Sequence, residues 1–362
     1  MDKLNSRLKT TIEDISFSYT KKQLGGQIGI LFYDITTIYF ESSQPDELRK
    51  TGFSKDGKHE SPQILLGLLV GKNAYPIGYE IFEGNTFEGH TLIPILESFK
   101  ERFGLSKPIV VADAGLLTRS NIESLIENDY QYIIGARIKN ESKQIKNQIE
   151  AQNLKDGEIA FIKKDETTKL FITYSNRRAR KDKFNRDRGL KRLENNLSTG
   201  RLTKSHINNR GYNKYLQIDG ELKIKIDYDK FEKDKNWDGL KGYLTNTALN
   251  GEEVIENYNN LWKIEKAFRI SKTDLKIRPI YHWLRKKIEA HICISFVSYL
   301  LYKELERTLK HYKLDISITK AIEHINKMYV VVFQNDENIT KYIKLKNNDI
   351  QNDIMKAVSS EF

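Results

Sequence analysis

Cysteine and long apolar runs are almost absent from this sequence, and each absence excludes a class of protein. The only cysteine is Cys293, which leaves no disulfide framework and no cysteine-based zinc site. The longest apolar run, residues 292–301, is too short to span a bilayer, and the N-terminus lacks the apolar core of a signal peptide. We therefore predict a soluble, cytoplasmic protein.

Acidic residues are fewer than basic residues in this sequence. The chain has 49 Asp and Glu against 60 Lys and Arg, which gives a net charge of +11 and a pI near 9.2. Such a charge favours a polyanionic partner, such as nucleic acid or an acidic membrane surface. The excess is concentrated in residues 177–214, here named the basic arm, which contain 13 basic and 3 acidic residues. A run of this kind is either a solvated or disordered face or a surface for nucleic acid, and its aromatic and amide residues suit the second.

One carboxylate interrupts the first strand pattern. Residues 28–33 form a β-type apolar run, and residues 35–40 form another that is rich in β-branched and aromatic side chains. Asp34 lies between them. Because burial of an unpaired carboxylate is costly, this aspartate has to be paired, metal-bound or at a bulge.

Four segments follow that have clear periodicity. Residues 63–70 and 75–82 predict two further strands of an antiparallel meander, residues 92–103 predict a helix, and residues 108–112 predict a short strand of the buried parallel kind. The first part of the chain therefore combines a meander with a strand that is buried on both faces.

A second carboxylate, Asp113, ends that buried strand. A helix follows, for which Ser120 is the candidate N-cap, and residues 130–135 predict another strand. α/β folds place catalytic groups at such strand ends, although an aspartate there also serves as a turn or cap residue. Asp113 is thus a second candidate for chemistry.

The middle of the chain changes character. Short strands are predicted around the basic arm, and Leu190, Leu193 and Leu197 predict one helix within the arm itself. We interpret residues 139–246 as a β-rich insertion that carries the arm. The predicted short strands are residues 159–162, 170–174, 222–228 and 242–245.

A helix from about residue 251 carries the third candidate carboxylate. Tyr258, Glu265 and Lys272 are spaced seven apart, and seven residues of α-helix turn through about 700°, so all three are expected within roughly 40° of one direction. Taken by itself, the stretch is better explained by an ordinary amphipathic helix with Glu265 and Arg269 as a solvated i, i+4 pair. Two further helices are predicted at residues 280–309 and 317–329, and residues 334–362 are polar and expected to be frayed.

Asp34, Asp113 and Glu265 form a donor set that suits a hard divalent cation. Mg²⁺ prefers oxygen ligands and retains several waters, so two or three carboxylates and a substrate phosphate are sufficient. A pair of such ions activates a water or a 3′-hydroxyl and stabilises the leaving oxygen in phosphodiester displacement.

The ordered motifs resemble those of a known family, the insertion-sequence DDE transposases, and specifically the large bacterial group with a Tyr-Arg-Glu-Lys signature. Residues 33–41 resemble the strand of the first aspartate, and residues 110–115 that of the second. Residues 52–58, 62–70 and 84–86 are similar to the meander of the family. Tyr258, Glu265 and Lys272 match the signature at its usual spacing, and residues 278–282 and 288–292 resemble the helix that follows. The resemblance covers about residues 28–305.

The resemblance implies an α/β, RNase H-like fold, in which a mixed five-stranded sheet with flanking helices is interrupted by a β-rich insertion and followed by C-terminal helices. On this basis we predict five segments. These are a polar, helical lead-in (1–27), the first part of the core (28–138), the insertion with the basic arm (139–246), the second part of the core with the Glu helix and C-terminal helices (247–330), and a polar tail (331–362).

The resemblance also implies an activity. Asp34, Asp113 and Glu265 would hold two Mg²⁺ or Mn²⁺ ions, cleave DNA at transposon ends and transfer the strands into target DNA. The implied partners are double-stranded DNA, at terminal inverted repeats and target sites, and a second copy of the chain in the DNA complex, with no membrane. The residues implied or predicted to contact DNA are Tyr258, Lys272, Arg269, Arg177, Arg178, Arg180, Lys181, Lys183, Arg186, Arg188, Lys191 and Arg192.

The chain departs from the family pattern at two places. Leu261 occupies the position of the signature arginine, so a phosphate contact is missing unless Arg269 or Lys263 replaces it. Family members usually carry an N-terminal domain that recognises transposon ends, whereas 27 residues precede the first strand here, which predicts a truncated or minimal transposase. A catalytically silent DNA-binding remnant and a non-specific RNase H-like nuclease are the alternatives.

Overall fold

The computed structural model describes most of the chain. The described residues are 8–41, 44–53, 60–104, 107–116, 118–208, 211–219, 223–275, 277–334 and 340–360. Part of the predicted family motif at residues 52–58 lies outside these ranges. No helix among the described residues is long and apolar enough to cross a membrane.

Twelve strands and eleven α-helices are present in the described part of the chain. The strands are β1 (Ile30–Tyr39), β2 (Gln63–Val70), β3 (Pro76–Glu83), β4 (Ile109–Ala112), β5 (Gln131–Ala136), β6 (Ile159–Lys163), β7 (Lys169–Tyr174), β8 (Leu216–Asp219), β9 (Lys223–Ile226), β10 (Leu240–Thr245), β11 (Val330–Gln334) and β12 (Thr340–Lys344). The helices are α1 (Lys9–Gln23), α2 (Leu92–Phe103), α3 (Arg119–Glu127), α4 (Lys143–Ala151), α5 (Asn176–Ser198), α6 (Tyr228–Lys233), α7 (Gly251–Asn259), α8 (Trp262–Thr273), α9 (Arg285–His311), α10 (Ile318–Ile325) and α11 (Asp349–Ser359).

The chain divides into two compact units. Unit 1 comprises residues 1–87, 94–106 and 262–362, and unit 2 comprises residues 88–93 and 107–261. The polypeptide therefore leaves unit 1 after β3, returns to it for residues 94–106, and re-enters it finally at α8. Unit 2 contains the whole predicted insertion.

Unit 1 is built on the predicted meander. Its strands pair antiparallel in the order β3-β2-β1, and every residue of β2 is buried, in agreement with the apolar sequence that follows Gln63. α1 and α9 pack against β3, and α8 packs against β1. The Thr20 hydroxyl of α1 donates to the Pro76 carbonyl at 2.8 Å, so the lead-in helix is tied to the edge of the meander.

Unit 2 combines parallel and antiparallel pairing. β4 pairs parallel with β5, and the order continues through antiparallel neighbours as β5-β10-β7-β6. α7 packs on this sheet, and the hairpin of β8 and β9 packs beside α5 around a separate cluster that includes Leu193, Tyr215 and Phe231. The predicted fold class is confirmed as mixed α/β with flanking helices, and the insertion strands β6, β7 and β10 extend the sheet of unit 2 beyond the strands predicted for the core.

Several local predictions were wrong. The N-cap of α3 is Thr118, whose hydroxyl accepts from the Asn121 amide at 3.1 Å, and not Ser120. Asp34 does not interrupt β1, which runs unbroken opposite β2 without a register shift. The strand β8 gave no clear apolar pattern and was not predicted.

The C-terminal segment is folded, in contrast to the predicted frayed tail. In α11, Ile354 and Ala357 are buried, and Ile354 belongs to a small core with Leu309 and Ala321 of the preceding helices. The Asn348 side chain caps this helix by accepting from the Gln351 amide at 2.9 Å. The helix was not predicted because the segment is mostly polar, and α11 buries only a narrow apolar stripe of its surface.

Candidate functional site

Asp113 follows β4 in unit 2, and a distant residue orients its carboxylate. The Tyr258 hydroxyl of α7 donates to Asp113 Oδ1 at 3.0 Å. Tyr258 is buried, and this burial, together with the Asp113 charge, raises the pKa of its phenol, so the hydroxyl stays protonated and remains a donor. The structure therefore joins a predicted catalytic aspartate to the first residue of the predicted signature.

Lys241 lies beside this pair, and the sequence analysis did not identify it. Its ammonium is 4.4 Å from the Tyr258 ring centre and 5.1 Å from that of Tyr243. Burial lowers the pKa of Lys241, and the neighbouring Arg178 lowers it further, whereas the Asp113 charge acts in the opposite direction. A lysine in a β-strand has no local signal that distinguishes it from a solvated one.

A buried amide holds the turn that carries Asp113. Asn121 Nδ2 donates to the Gly89 carbonyl at 2.6 Å and to the Leu116 carbonyl at 2.8 Å. These two bonds bring the turn at Glu88 against the turn after Asp113, so Glu88 is a further carboxylate in this neighbourhood. The hydrogen bond from Asn121 to Gly89 joins residues 32 apart in the sequence, so no local sequence pattern could predict it.

Asp34 belongs to unit 1 and occupies the middle of β1. It is half-buried, and its Oδ1 accepts from the Ile35 amide at 2.8 Å. Side chains two residues apart share one face of a strand, so Thr36 projects on the same side as Asp34. Lys272 of α8 donates from Nζ to the Thr36 hydroxyl at 2.5 Å, which places the last residue of the signature near the face of β1 that carries Asp34.

Glu265 is exposed in the first turn of α8. It precedes Lys272 by seven residues, so both project from similar sides of the helix. α8 packs on β1, and within this packing Lys272 contacts Thr36. No ion pair joins Glu265 to Arg269 among the described residues, so the predicted i, i+4 pair is not formed.

The predicted single helix through Tyr258, Glu265 and Lys272 was wrong. α7 ends at Asn259, where Asn260 serves as C-cap, and α8 begins at Trp262. Leu261, at the signature arginine position, is buried in the break with 8% of its surface exposed. Tyr258 therefore belongs to unit 2, and Glu265 and Lys272 belong to unit 1. The apolar spacing continues through the break, which is why periodicity did not reveal it.

The first part of the basic arm forms one long helix, as its leucines predicted. α5 runs from Asn176 to Ser198, and eight of the nine basic residues predicted for DNA are exposed on it: Arg177, Arg178, Arg180, Lys181, Lys183, Arg188, Lys191 and Arg192. Arg186 differs from these eight. It is 5% exposed, pairs with Asp238 and lies over the Phe231 ring, so part of its charge is engaged inside unit 2, and its contact with DNA stays a prediction.

The donors that would hold a metal ion are carboxylates only. Within each unit, the described residues contain no group of three or more His, Cys, Asp and Glu side chains that could hold a metal. Mg²⁺ and Mn²⁺ sites frequently use only one or two protein carboxylates and complete their shell with water and substrate phosphate. Asp34 and Glu265 in unit 1 and Asp113 in unit 2 fit that chemistry by ligand type.

Comparisons with solved structures give distant likenesses. A piggyBac transposase synaptic complex with hairpin DNA has a TM-score of 0.47 and 9% identity over 81% of this chain, which spans about half, 50%, of that chain. A Mos1 transposase paired-end complex with the left transposon end has a TM-score of 0.22 and 15% identity over 34% of this chain and 40% of that chain.

Sequence comparison gives the assignment of family. Among curated protein sequences, none matches this chain significantly. The sequence model of the transposase DDE domain, in contrast, matches residues 25–301, which is well over half of the chain. The chain therefore belongs to the transposase DDE domain family.

Proposed function

We propose that this chain is the catalytic domain of a cut-and-paste DNA transposase of the Tyr-Arg-Glu-Lys group. It cleaves phosphodiester bonds at transposon ends and joins those ends to target DNA. The observation that carries the proposal is the hydrogen bond from Tyr258 to Asp113, because it connects the signature to the end of β4 across 145 residues. An ordinary capping aspartate has no need of such a partner.

Asp34, Asp113 and Glu265 are proposed as the catalytic carboxylates and as the ligands of two Mg²⁺ or Mn²⁺ ions. When bound, such ions lower the pKa of a nucleophilic water or 3′-hydroxyl and stabilise the leaving oxygen. The protein residues have separate tasks. Tyr258 orients the Asp113 carboxylate, and its protonated hydroxyl adds no negative charge near the DNA. Lys272, fixed by Thr36, supplies a positive charge for a phosphate.

The DNA surface extends beyond the carboxylates. Arg269 is exposed one turn after Glu265 and replaces the cation that Leu261 removes from the signature. The exposed residues of α5 supply the salt-dependent part of the affinity by neutralising phosphates. The proposed partners are double-stranded DNA at terminal inverted repeats and target sites, and a second copy of the chain in that complex, in the cytoplasm at the nucleoid.

The test is an assay of cleavage and joining on duplex DNA that carries the terminal repeats flanking the gene. With Mg²⁺ or Mn²⁺ we expect nicks at the repeat ends and joined products with target DNA. D34N, D113N and E265Q should each lower the rate by about 10³-fold or more, as observed when one member of a cooperating catalytic set is removed. A cleavage activity that survived D113N and E265Q would contradict the assignment of these residues.

Two other outcomes separate the alternatives. Binding with a steep salt dependence but no metal-dependent cleavage would identify a catalytically silent transposase. Hydrolysis of any duplex without joined products would identify a non-specific nuclease. The same DNA and the same three variants serve for all of these readouts.

A further inference from the structure

A cationic cavity opens in unit 2 between α5, β10 and the turn at residues 138–140. Its volume is about 680 Å³, within the range of sites that hold small ligands. Three aspartates contribute to its wall, Asp182, Asp234 and Asp238. Six cationic side chains also contribute, and this cavity is named the cationic pocket: Arg137, Lys139, Arg178, Arg186, Lys214 and Lys241.

The three aspartates are already occupied. Asp234 accepts from Lys139 and from Lys214, each at 2.7 Å, and Asp238 pairs with Arg186. Asp182 accepts from the Gly239 amide at 3.1 Å and lies 3.5 Å from Arg178 Nε. The three carboxylates of the pocket wall are therefore paired with cations or amides of the same wall. The net charge of the wall is positive.

Arg137 and Lys241 provide two units of that net charge, and the third arises because Lys139 and Lys214 share one carboxylate. Neither has an ion pair with any residue that the structure describes. The Lys241 ammonium lies over two tyrosine rings, where burial disfavours its charge, so an anion at its ammonium would be stabilising. Arg186 is buried in the same wall, and its Nε is a donor that has no hydrogen-bond partner in the described part of the chain.

We propose that the cationic pocket binds the phosphate groups of a DNA strand through Arg137 and Lys241. The pocket adjoins the candidate site in unit 2 through two contacts: Lys241 lies over the Tyr258 ring, and the hydroxyl of Tyr258 donates to Asp113. The inference rests on the proposed function, because it assumes that the DNA strand bound in the pocket continues to the phosphodiester bond cleaved at Asp113. Lys241 then acts as a positioning residue.

The experiment measures DNA affinity without catalysis. A fluorescein-labelled duplex of mixed sequence is titrated with the full chain in EDTA over a series of salt concentrations, for wild type, R137Q and K241M. Each lost phosphate contact should lower the slope of log affinity against log salt by about 0.9, and the double variant by about 1.8. The loss of affinity should be similar for all sequences, because phosphates carry no sequence information.

Two controls define the result. K163Q removes an exposed lysine of β6 that does not belong to the pocket and should keep the wild-type slope, and K241R should also keep it because the charge is retained. Arg137 is exposed, so R137Q tests the pocket even if K241M lowers the melting temperature. Wild-type slopes in R137Q and in the double variant would overturn the proposal.

Failure of the proposed function would be recognised separately. If the slopes change as expected but the wild type neither nicks nor joins terminal DNA with Mg²⁺, the pocket is supported and the catalytic proposal is not. If cleavage is normal and the slopes are unchanged, only the pocket proposal is contradicted.

Discussion

Asp113 in unit 2 and Asp34 in unit 1 are both candidate catalytic aspartates, yet different forces orient them. Asp113 is exposed after a four-residue strand, and its partner Tyr258 is 145 residues away. Asp34 lies within a ten-residue strand, and its carboxylate accepts from the amide of the next residue. Asp113 therefore depends on the tertiary structure of unit 2, whereas Asp34 depends on the pairing of its own strand.

The same contrast holds for the lysines. Lys241 is half-buried beside Tyr258 and Tyr243, and its ammonium makes no hydrogen bond or ion pair among the described residues. Lys272 is fixed by a hydrogen bond to Thr36, two residues from Asp34. We infer that substitutions far from Asp113 in sequence disturb its site, and that the Asp34 site is affected mainly by changes in β1 and α8.

Among the variants that test this comparison, Y258F is expected to lose the most cleavage activity. It removes the hydroxyl that donates to Asp113, and a hydrogen bond to a charged group contributes about 1.5–3 kcal/mol, or roughly 10- to 100-fold in rate. T36V, which removes the partner of Lys272 but touches no carboxylate, should cost less than about 10-fold. The measurement is the single-turnover cleavage rate of terminal DNA. A greater loss in T36V than in Y258F would reverse the comparison.

Alanine substitutions of two strand glycines provide a second test of the comparison, and their effect on cleavage is expected to be smaller than that of Y258F. A Cβ on Gly135 would lie 2.4 Å from the Tyr258 hydroxyl, and a Cβ on Gly67 would lie 2.6 Å from the Tyr33 hydroxyl. Both G135A and G67A should lower the free energy of unfolding by about 1–3 kcal/mol through overpacking. Only G135A displaces Tyr258, so only G135A should slow cleavage by more than its unfolded fraction explains. Urea unfolding and cleavage rates, measured on the same samples, decide this.

The smallest effect concerns acid stability. Burial acts to raise the pKa of Asp234, but hydrogen bonds from Lys139, Lys214 and Tyr215 outweigh it and lower this pKa to about 2. A carboxyl with a depressed folded-state pKa contributes stability that is complete above its unfolded value of 3.8 and is lost as pH falls towards about 2. D234N should lower the free energy of unfolding by about 1–2 kcal/mol at pH 7 and by less at pH 2.

A matched variant in unit 1 tests whether the sequence separation between a carboxylate and its partners affects stability. Asp46 also has a lowered pKa, in which burial is opposed by hydrogen bonds from Arg49, but this pair is local, three residues apart. D46N should therefore destabilise less than D234N in urea unfolding at pH 7. Equal losses would show that long-range polar contacts are no more important in unit 2 than local ones in unit 1.

Strand and helix identity could be predicted where burial follows a simple period. All residues of β2 are buried and the strand is apolar after Gln63, and α5 could be predicted from three leucines despite its charge. Asp34, Asp113 and Glu265 were identified by their order and by a family resemblance. Their roles remain predictions that the cleavage assays test.

The rest depended on contacts between distant residues. Periodicity cannot detect the break at Asn260, because the apolar spacing of α7 and α8 continues across it. Arg186 looks like its exposed neighbours in sequence, and only the fold brings Asp238 and Phe231 to it. Lys241 and Asn121 were missed for the same reason, since neither has a local pattern that indicates its partner.

The most direct test of the central claim is a double-variant cycle of D113N and E265Q. If Asp113 and Glu265 serve one catalytic centre with the same ions, either single change already removes that centre, and the double variant should be no slower than the slower single variant. The measurement is the Mg²⁺-dependent cleavage rate of terminal DNA for the wild type, both single variants and the double variant. Losses that multiply in the double variant would contradict the account, because they would mean that the two carboxylates act independently.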